Sequence, residues 1–357
     1  MSEVPAMNRL KRIQVRGYKS IRKMDLELGQ INVLIGANAA GKSNFVSLFR
    51  LLRARVADDP TAKGSEFHEY VEGCGGANAL LYYGAKTTQV MEFTLEFEVC
   101  PKPYHWLLKW AIQDAFTETE HDDLVQPSRG TGKLEPVVEQ CRVFQFHDTS
   151  PAARIRINQY INDNRGLASD GGNLAAFLYM LQETQGEYYR RILDTIRDVA
   201  PHFGDFELAP HRRNADTIRL DWREAGSEYL FGPHQLPDGL LRFMALATLL
   251  LQPNDTLPEI VIIDEPELGL HPYAINVLGG LVRKAAAHCQ LILATQSVNL
   301  LDQFEPEHIV TVERHRLDGQ YESVFRRVDP GELAEWLEEY SLSELWEKNV
   351  IGGRPTR

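Results

Sequence analysis

The feature that most limits how this chain can fold is the octapeptide Gly36-Ala37-Asn38-Ala39-Ala40-Gly41-Lys42-Ser43, which fits the pattern G-x-x-x-x-G-K-[ST]. In that pattern small residues let backbone N–H groups close around phosphate oxygens at a helix N-terminus. Such a loop works only between a strand and a helix. Both are predicted here: Ile31 to Ile35 is an apolar run ending on the loop, and a helix begins at Lys42 and runs on through Asn44. Lys42 is then placed to neutralise the β- and γ-phosphates of a nucleotide, and Ser43 to ligate Mg²⁺. Ala39 stands where glycine is common, which its methyl group tolerates only at negative φ.

A second motif lies far downstream. Ile260-Val261-Ile262-Ile263 reads as a buried strand that delivers Asp264 and Glu265 at its C-terminal end, where open α/β sheets bind ligands. Asp264 is the candidate Mg²⁺ ligand, and Glu265 the candidate base that orients and deprotonates an attacking water. Between the motifs, Leu236-Pro237-Asp238-Gly239 precedes an apolar helix, so Asp238 and Gly239 sit at a helix start that can face phosphate. Gln296 follows the strand Gln290 to Ala294 and can reach a γ-phosphate. A short strand is also predicted at Arg142 to Phe146, with Gln145 at its end and His147 and Asp148 just beyond.

The 357 residues suffice for one large α/β domain or two modest ones. Strands alternating with helices after residue 206 predict a mostly parallel sheet. Before it, residues 10–17 and 25–35 read as two strands and Met91 to Val99 as a half-exposed antiparallel strand. Tyr104 to Phe116 reads as a helix followed by a polar loop with His121, Asp122 and Asp123. Helices at Asn173 to Gln185 and Glu187 to Val199 suggest an inserted helical lobe, and Glu332 to Trp346 an amphipathic helix. The net charge of −12 argues against non-specific coating of nucleic acid, leaving the N-terminal basic residues and Arg50, Arg53 and Arg55 as a local patch. The four cysteines form no Cys-x-x-Cys pair. No apolar run is long enough to span a bilayer, so a soluble cytoplasmic protein is expected.

Read in order, these elements resemble the ABC-type ATPase superfamily in its RecF/Rad50/SMC/OLD-like branch, and most nearly the bacterial predicted AAA-family ATPases. The resemblance rests on Ile13 to Ile21, on Asn32 to Gly36 and on Ile263-Asp264-Glu265-Pro266-Glu267-Leu268-Gly269-Leu270-His271-Pro272. It implies an ABC-type head over residues 9–335, with an N-terminal lobe (9–100 and 141–146), insertions (101–140 and 147–206), a C-terminal lobe (207–335) and a terminal helix and tail (336–357). It also implies ATP and Mg²⁺, with a polar residue after the strand before the helical lobe helping to hold both, a role for which Gln145 is the candidate and His147 and Asp148 compete, and a homodimer in which Asp238 and Gly239 complete the ATP site of the second copy. Two positions depart from that pattern. Pro237 replaces the usual serine, so engagement of the second copy's nucleotide is expected to be weakened, and Gln296 replaces the usual histidine, so turnover is expected to be slow. The branch acts in DNA repair, chromosome handling and anti-phage or plasmid defence; a nuclease or toxin effector is expected on a separate chain, with DNA as a second possible partner. An ATP-dependent regulatory module without appreciable hydrolysis and a transporter's ATP-binding subunit are the alternative readings.

Overall fold

A computed structural model of the chain describes residues 8–57, 65–98, 104–111 and 138–353. Strand β3 (Ile31–Ile35) is buried at every position, as a strand covered on both faces must be. It lies inside a six-stranded sheet of order β15-β14-β3-β13-β12-β6. Its members are β6 (Cys141–Phe144), β12 (Ile260–Asp264), β13 (Gln290–Thr295), β14 (Ile309–Leu317) and β15 (Gln320–Arg327). Pairing is parallel from β12 through β13 and β3 to β14, and antiparallel between β14 and β15. The predicted α/β fold with a mostly parallel sheet and antiparallel N-terminal strands is what the structure has.

Two compact units divide the chain. Met1–Val143, Glu259–Asp264 and Cys289–Arg357 form the first; Phe144–Pro258 and Glu265–His288 form the second. In the first, β1 (Arg9–Tyr18), β2 (Ile21–Glu27), β4 (Val90–Glu98) and β5 (Tyr104–Ala111) make an antiparallel sheet of order β2-β1-β4-β5. Helix α1 (Lys42–Ala57) carries Phe45, Phe49 and Leu52 into a buried cluster with Ile13, Val15, Phe93 and Leu95 of that sheet. The same cluster takes in Ile262 and Ile292 of the parallel sheet, so α1 shares one core with both. Short helices α2 (Glu66–Gly73) and α3 (Ala77–Leu80) follow it.

The second unit holds α4 (Leu174–Thr184), α5 (Gly186–Val199), α6 (Asp238–Leu251) and α7 (Pro272–Ala285). Helix α6 is buried along nearly its whole length, from Leu241 to Leu251. Two small antiparallel sheets accompany the helices. One has the order β7-β10-β9 (β7 Gln159–Tyr160, β9 Pro210–His211, β10 Asn214–Ile218), and the other pairs β11 (Asp221–Glu224) with β8 (Phe203–Glu207). Trp222 stacks between Phe203 and Phe231. Back in the first unit, α8 (Val298–Leu301), α9 (Pro330–Leu333) and α10 (Leu342–Glu347) are short. None of the described helices is long and apolar enough to cross a membrane.

Several local expectations change. The predicted helix at Tyr104 to Phe116 is, over its described part, strand β5, paired from Tyr104↔Phe97 to Ala111↔Val90. Aromatic residues suit a strand as well as a helix, and hydrogen bonds along the edge of β4 decide between them. Its remainder and the polar loop with His121 to Asp123 lie outside the described residues. The run 25–35 is two strands, because the Asn32 amide accepts from Gly29 N–H (2.8 Å) and donates to Gly29 C=O (2.9 Å) and so closes a turn. Glu332 to Trp346 is not one helix. Ser341 restarts the chain as α10, its hydroxyl accepting from Glu344 N–H while its own N–H donates to the Glu344 carboxylate.

Gln290, fully buried at the start of β13, fixes how the sheets meet. Its Oε1 accepts from Leu10 N–H (2.9 Å), and its Nε2 donates to the carbonyls of Leu10 (2.9 Å) and Gly29 (2.7 Å). Leucine has similar volume but would take away the side-chain partners of Leu10 N–H and C=O and leave Gly29 C=O with only its Asn32 donor. Gln290→Leu is therefore expected to lower unfolding free energy by about 3 kcal/mol, read from urea denaturation.

Candidate functional site

The glycine loop runs from the end of β3 into the first turn of α1, as its sequence demands. Lys42 is buried and donates through Nζ to the carbonyls of Gly36 (2.6 Å) and Ala37 (3.1 Å), so its charge is held inside the loop. Ser43 is exposed at the helix start. Glycine is required at two positions for steric reasons. A Cβ on Gly36 would collide with the Val312 carbonyl, and one on Gly41, whose φ is 122°, with the Ser323 hydroxyl. Ala39 departs from expectation: its φ is 61° rather than negative. The turn that closes from Ala40 N–H onto Ala37 C=O (3.2 Å) and a contact from Arg314 Nη1 to Ala39 C=O (3.3 Å) hold it there, at a cost of about 1 kcal/mol.

Residues that the motif does not reveal complete the loop's support. Asn44 Nδ2 donates to Ser20 Oγ (2.7 Å), Ser20 meets the fully buried Ser323 hydroxyl (2.7 Å), and Ser323 donates to Ala40 C=O (2.6 Å). With the last proton committed to Ala40, Ser20 donates to Ser323, giving a one-way chain of hydrogen bonds from helix to loop. Lys19 Nζ donates to Ser47 Oγ on α1 (3.0 Å), and burial holds that ammonium's pKa below the usual lysine range. On another side, Ala37 N–H donates to Gly353 C=O (2.9 Å), and Gly353 N–H to Glu313 Oε1 (2.6 Å). Burial alone would push the Glu313 carboxyl up, but the Gly353 N–H and His315 outweigh it and hold it below the usual range.

Asp264 ends β12 and is buried. Because β12, β13 and β3 are successive parallel strands, Asp264 and Gly36 lie toward the same C-terminal edge, with Asp264 opposite Ala294 and Ala294 opposite Leu34. Gln296, also in the first unit, is exposed just past β13. Beside it Thr295 Oγ1 accepts from Ser297 N–H (2.9 Å), and Ser297 caps α8. Cradle, cation and carboxylate together fit a nucleotide with its metal.

The second unit begins its share of the motif at Glu265, whose φ of 46° is a left-handed conformation uncommon for glutamate. Its Oε2 lies 3.9 Å from His147 Nε2. Gln145 Nε2 sits 2.9 Å from His147 Nδ1, so the two candidates for the same role bond to each other. Asp238 opens α6, with the exposed Pro237 before it as N-cap. The Asp238 carboxylate pairs with Arg156 Nη2 at 2.6 Å, a partner from within its own chain. Gly239 is glycine for an internal reason too: a Cβ there would strike the Gly269 carbonyl. One turn on, Arg242 donates to the carbonyls of His147 (3.0 Å) and Phe146 (3.3 Å) and to Thr149 Oγ1 (3.1 Å). No local pattern marks Arg156 as a partner of this helix, or Arg242 as the residue that ties its first turns to the segment 146–149.

Two sequence families match parts of the chain. Residues 134–302, with Asp264, Glu265 and Pro237, match one described as "AAA domain, putative AbiEii toxin, Type IV TA system". Residues 8–73, with the glycine loop, match one described as a protein of unknown function. No curated protein matches the chain. Among solved structures it is similar to an SMC head bound to the C-winged helix domain of ScpA, at 12% identity over 89% of this chain and 98% of that one, with a TM-score of 0.56. It is likewise similar to an Smc head domain with an extended coiled coil bound to the C-terminal domain of ScpA from Pyrococcus furiosus. There the identity is 12% over 93% of this chain and 99% of that one, and the TM-score 0.57. At such identity the likeness is one of fold.

The two exceptional loop positions make opposite predictions, both read from urea unfolding. Gly36→Ala forces β3 away from β14 and is expected to cost about 2 kcal/mol. Ala39→Gly should change stability by less than about 1 kcal/mol, because relief of positive φ and the added freedom of the unfolded chain oppose each other.

Proposed function

We propose, for a chain with the fold of an ABC-type, SMC-head-like P-loop ATPase, that it hydrolyses ATP with Mg²⁺ and serves as a switch closed by nucleotide between two copies of itself. One observation carries the reading. The glycine loop and Asp264 stand at the same edge of successive parallel strands, the crevice in which open α/β sheets hold ligands.

In this reading Lys42 would leave its own loop carbonyls for the β- and γ-phosphates, and Ser43 and Asp264 would hold Mg²⁺, which when bound would supply positive charge beside the phosphoryl oxygens. Glu265, the residue after Asp264, orients the attacking water and takes its proton as the oxygen bonds to the γ-phosphorus and ADP departs. Gln296 offers an amide N–H to the γ-phosphate but carries no proton. Asp238 and Gly239 face the nucleotide of the second copy.

What reads the switch is best assigned to a partner protein. The description of one matched family names a putative AbiEii toxin and a type IV TA system, which supports a toxin–antitoxin setting. The similar SMC heads were solved with ScpA, which supports a protein partner. DNA, with repair or chromosome handling, is less favoured because much of the N-terminal basic cluster is already offset. Arg9 and Lys11 meet Glu98, Arg12 meets Asp25, Arg16 meets Glu92 and Arg22 meets Asp318.

A second reading, a regulatory module with negligible turnover, draws on Pro237 and Gln296. Proline at the α6 N-cap gives a γ-phosphate neither hydroxyl nor N–H.

Single-turnover cleavage of ATP decides between them. Glu265→Gln should slow cleavage by about 10²- to 10⁴-fold, leave ATP binding near wild type, and accumulate an ATP-dependent dimer by light scattering. Wild-type and variant traces that coincide would sink the hydrolytic reading in favour of the regulatory one. Lys42→Ala should abolish binding in either case.

A further inference from the structure

Arg156 is an unusual residue to bury. It closes a 3₁₀ turn (Arg154–Arg156), and its side chain is 5% exposed. Nε donates to Thr149 C=O (2.7 Å), Nη1 to Pro233 C=O, and Nη2 to Leu236 C=O (3.1 Å) and to Asp238 Oδ1 (2.6 Å). Three carbonyls and one carboxylate are thus gathered by one guanidinium. Two of the carbonyls flank the turn Pro233–Gln235, which feeds directly into Pro237, Asp238 and the start of α6. The fork shape of the group matters, since an ammonium reaches fewer of these acceptors at once.

The ion pair is lopsided. Asp238 remains 60% exposed at the first turn of a 14-residue helix, beside a cavity of about 460 Å³ lined by Thr149, Ser150, Arg156, His234, Pro237 and Asp238. A carboxylate there favours the helix but repels any phosphate that approaches the same N–H groups. Arg156 cancels that repulsion from behind while its own surface stays covered. Pro237 has removed the hydroxyl and N–H that could otherwise meet a phosphate, so the charge balance at this turn carries more of the interaction.

We propose that Arg156 is the positioning residue of the α6 N-terminus: it pins Pro233 to Asp238 and neutralises Asp238, so that the triphosphate held by a second copy can dock on Pro237 to Gly239. This rests on the nucleotide-closed dimer proposed above. It adds the residue that makes the docking face acceptable to an anion.

The test uses the full chain in the Glu265→Gln background, with dimerisation in ATP and Mg²⁺ followed by analytical ultracentrifugation and monomer binding by a fluorescent ATP analogue. Arg156→Met should weaken ATP-dependent dimerisation by about tenfold or more without changing monomer binding. Adding Asp238→Asn to it should restore most of that loss. A merely structural role would not respond in this way, because the three carbonyls remain without their donor. Asp238→Asn alone should tighten the dimer about threefold, the size of one charge at a helix start, and this single variant decides the matter if Arg156→Met does not fold. The proposal is overturned if Arg156→Met dimerises like its parent, if the double variant shows no recovery, or if Asp238→Asn alone weakens the dimer. A parent that forms no dimer in ATP removes the switch itself, and with it this role for Arg156.

Discussion

Everything in the first unit depends on the pairing of β3 with β13. Ile31 to Ile35 runs parallel to Leu291 to Thr295, two segments far apart in sequence, and no local preference can bring them together. Burial supplies the drive and polar groups at the strand starts supply the register. Asn32 Nδ2 reaches Leu291 C=O (3.3 Å), and Gln290 grips Leu10 and Gly29. In a sheet with side chains alternating between two faces, a slip by one residue exchanges those faces. It would also move Gly36 out of line with Asp264. The alignment of loop and carboxylate is thus a property of strand register before it is one of either motif.

The second unit solves a different problem, that of presenting a helix start. Helix α6 is so apolar that its burial is assured, but burial alone does not orient its first turn. Arg156 and Arg242 do that by gathering backbone carbonyls from the segments at 146–149 and 233–236. Gly239 then lets the turn lie directly against Gly269. Charged side chains here act as fasteners for main chain, which is how a buried guanidinium satisfies the donors it brings with it.

Local chemistry was legible in the sequence and long-range chemistry was not. The glycine loop, Asp264 and Glu265 announce themselves because contiguous residues build each motif, and alternating strands and helices disclosed the parallel sheet. Ser20 and Ser323 are 303 positions apart, so no window of sequence could pair them or show that they brace Ala40. Strand β5 was misread because its aromatic run suits either state until the edge of β4 is present. At Ala39 the closure of the loop overrides the steric preference of alanine. The start of α6 was half legible: a helix start facing outward is visible in Pro237-Asp238-Gly239, but Arg156, which answers the aspartate, is not.

The hydrogen bond from Ala37 to Gly353 has a consequence for biosynthesis. The glycine loop leaves the ribosome well before β13 and β14, which flank β3, and before the segment that closes on Ala37. Pairing between segments so far apart delays assembly of the sheet until the later strands are available. A ligand of the loop therefore has no finished site on the growing chain before then. It can stabilise only what has already been built, by mass action on the finished fold. Until then the apolar strand Ile31 to Ile35 lacks its neighbours in the parallel sheet and is open to pairing with a wrong edge.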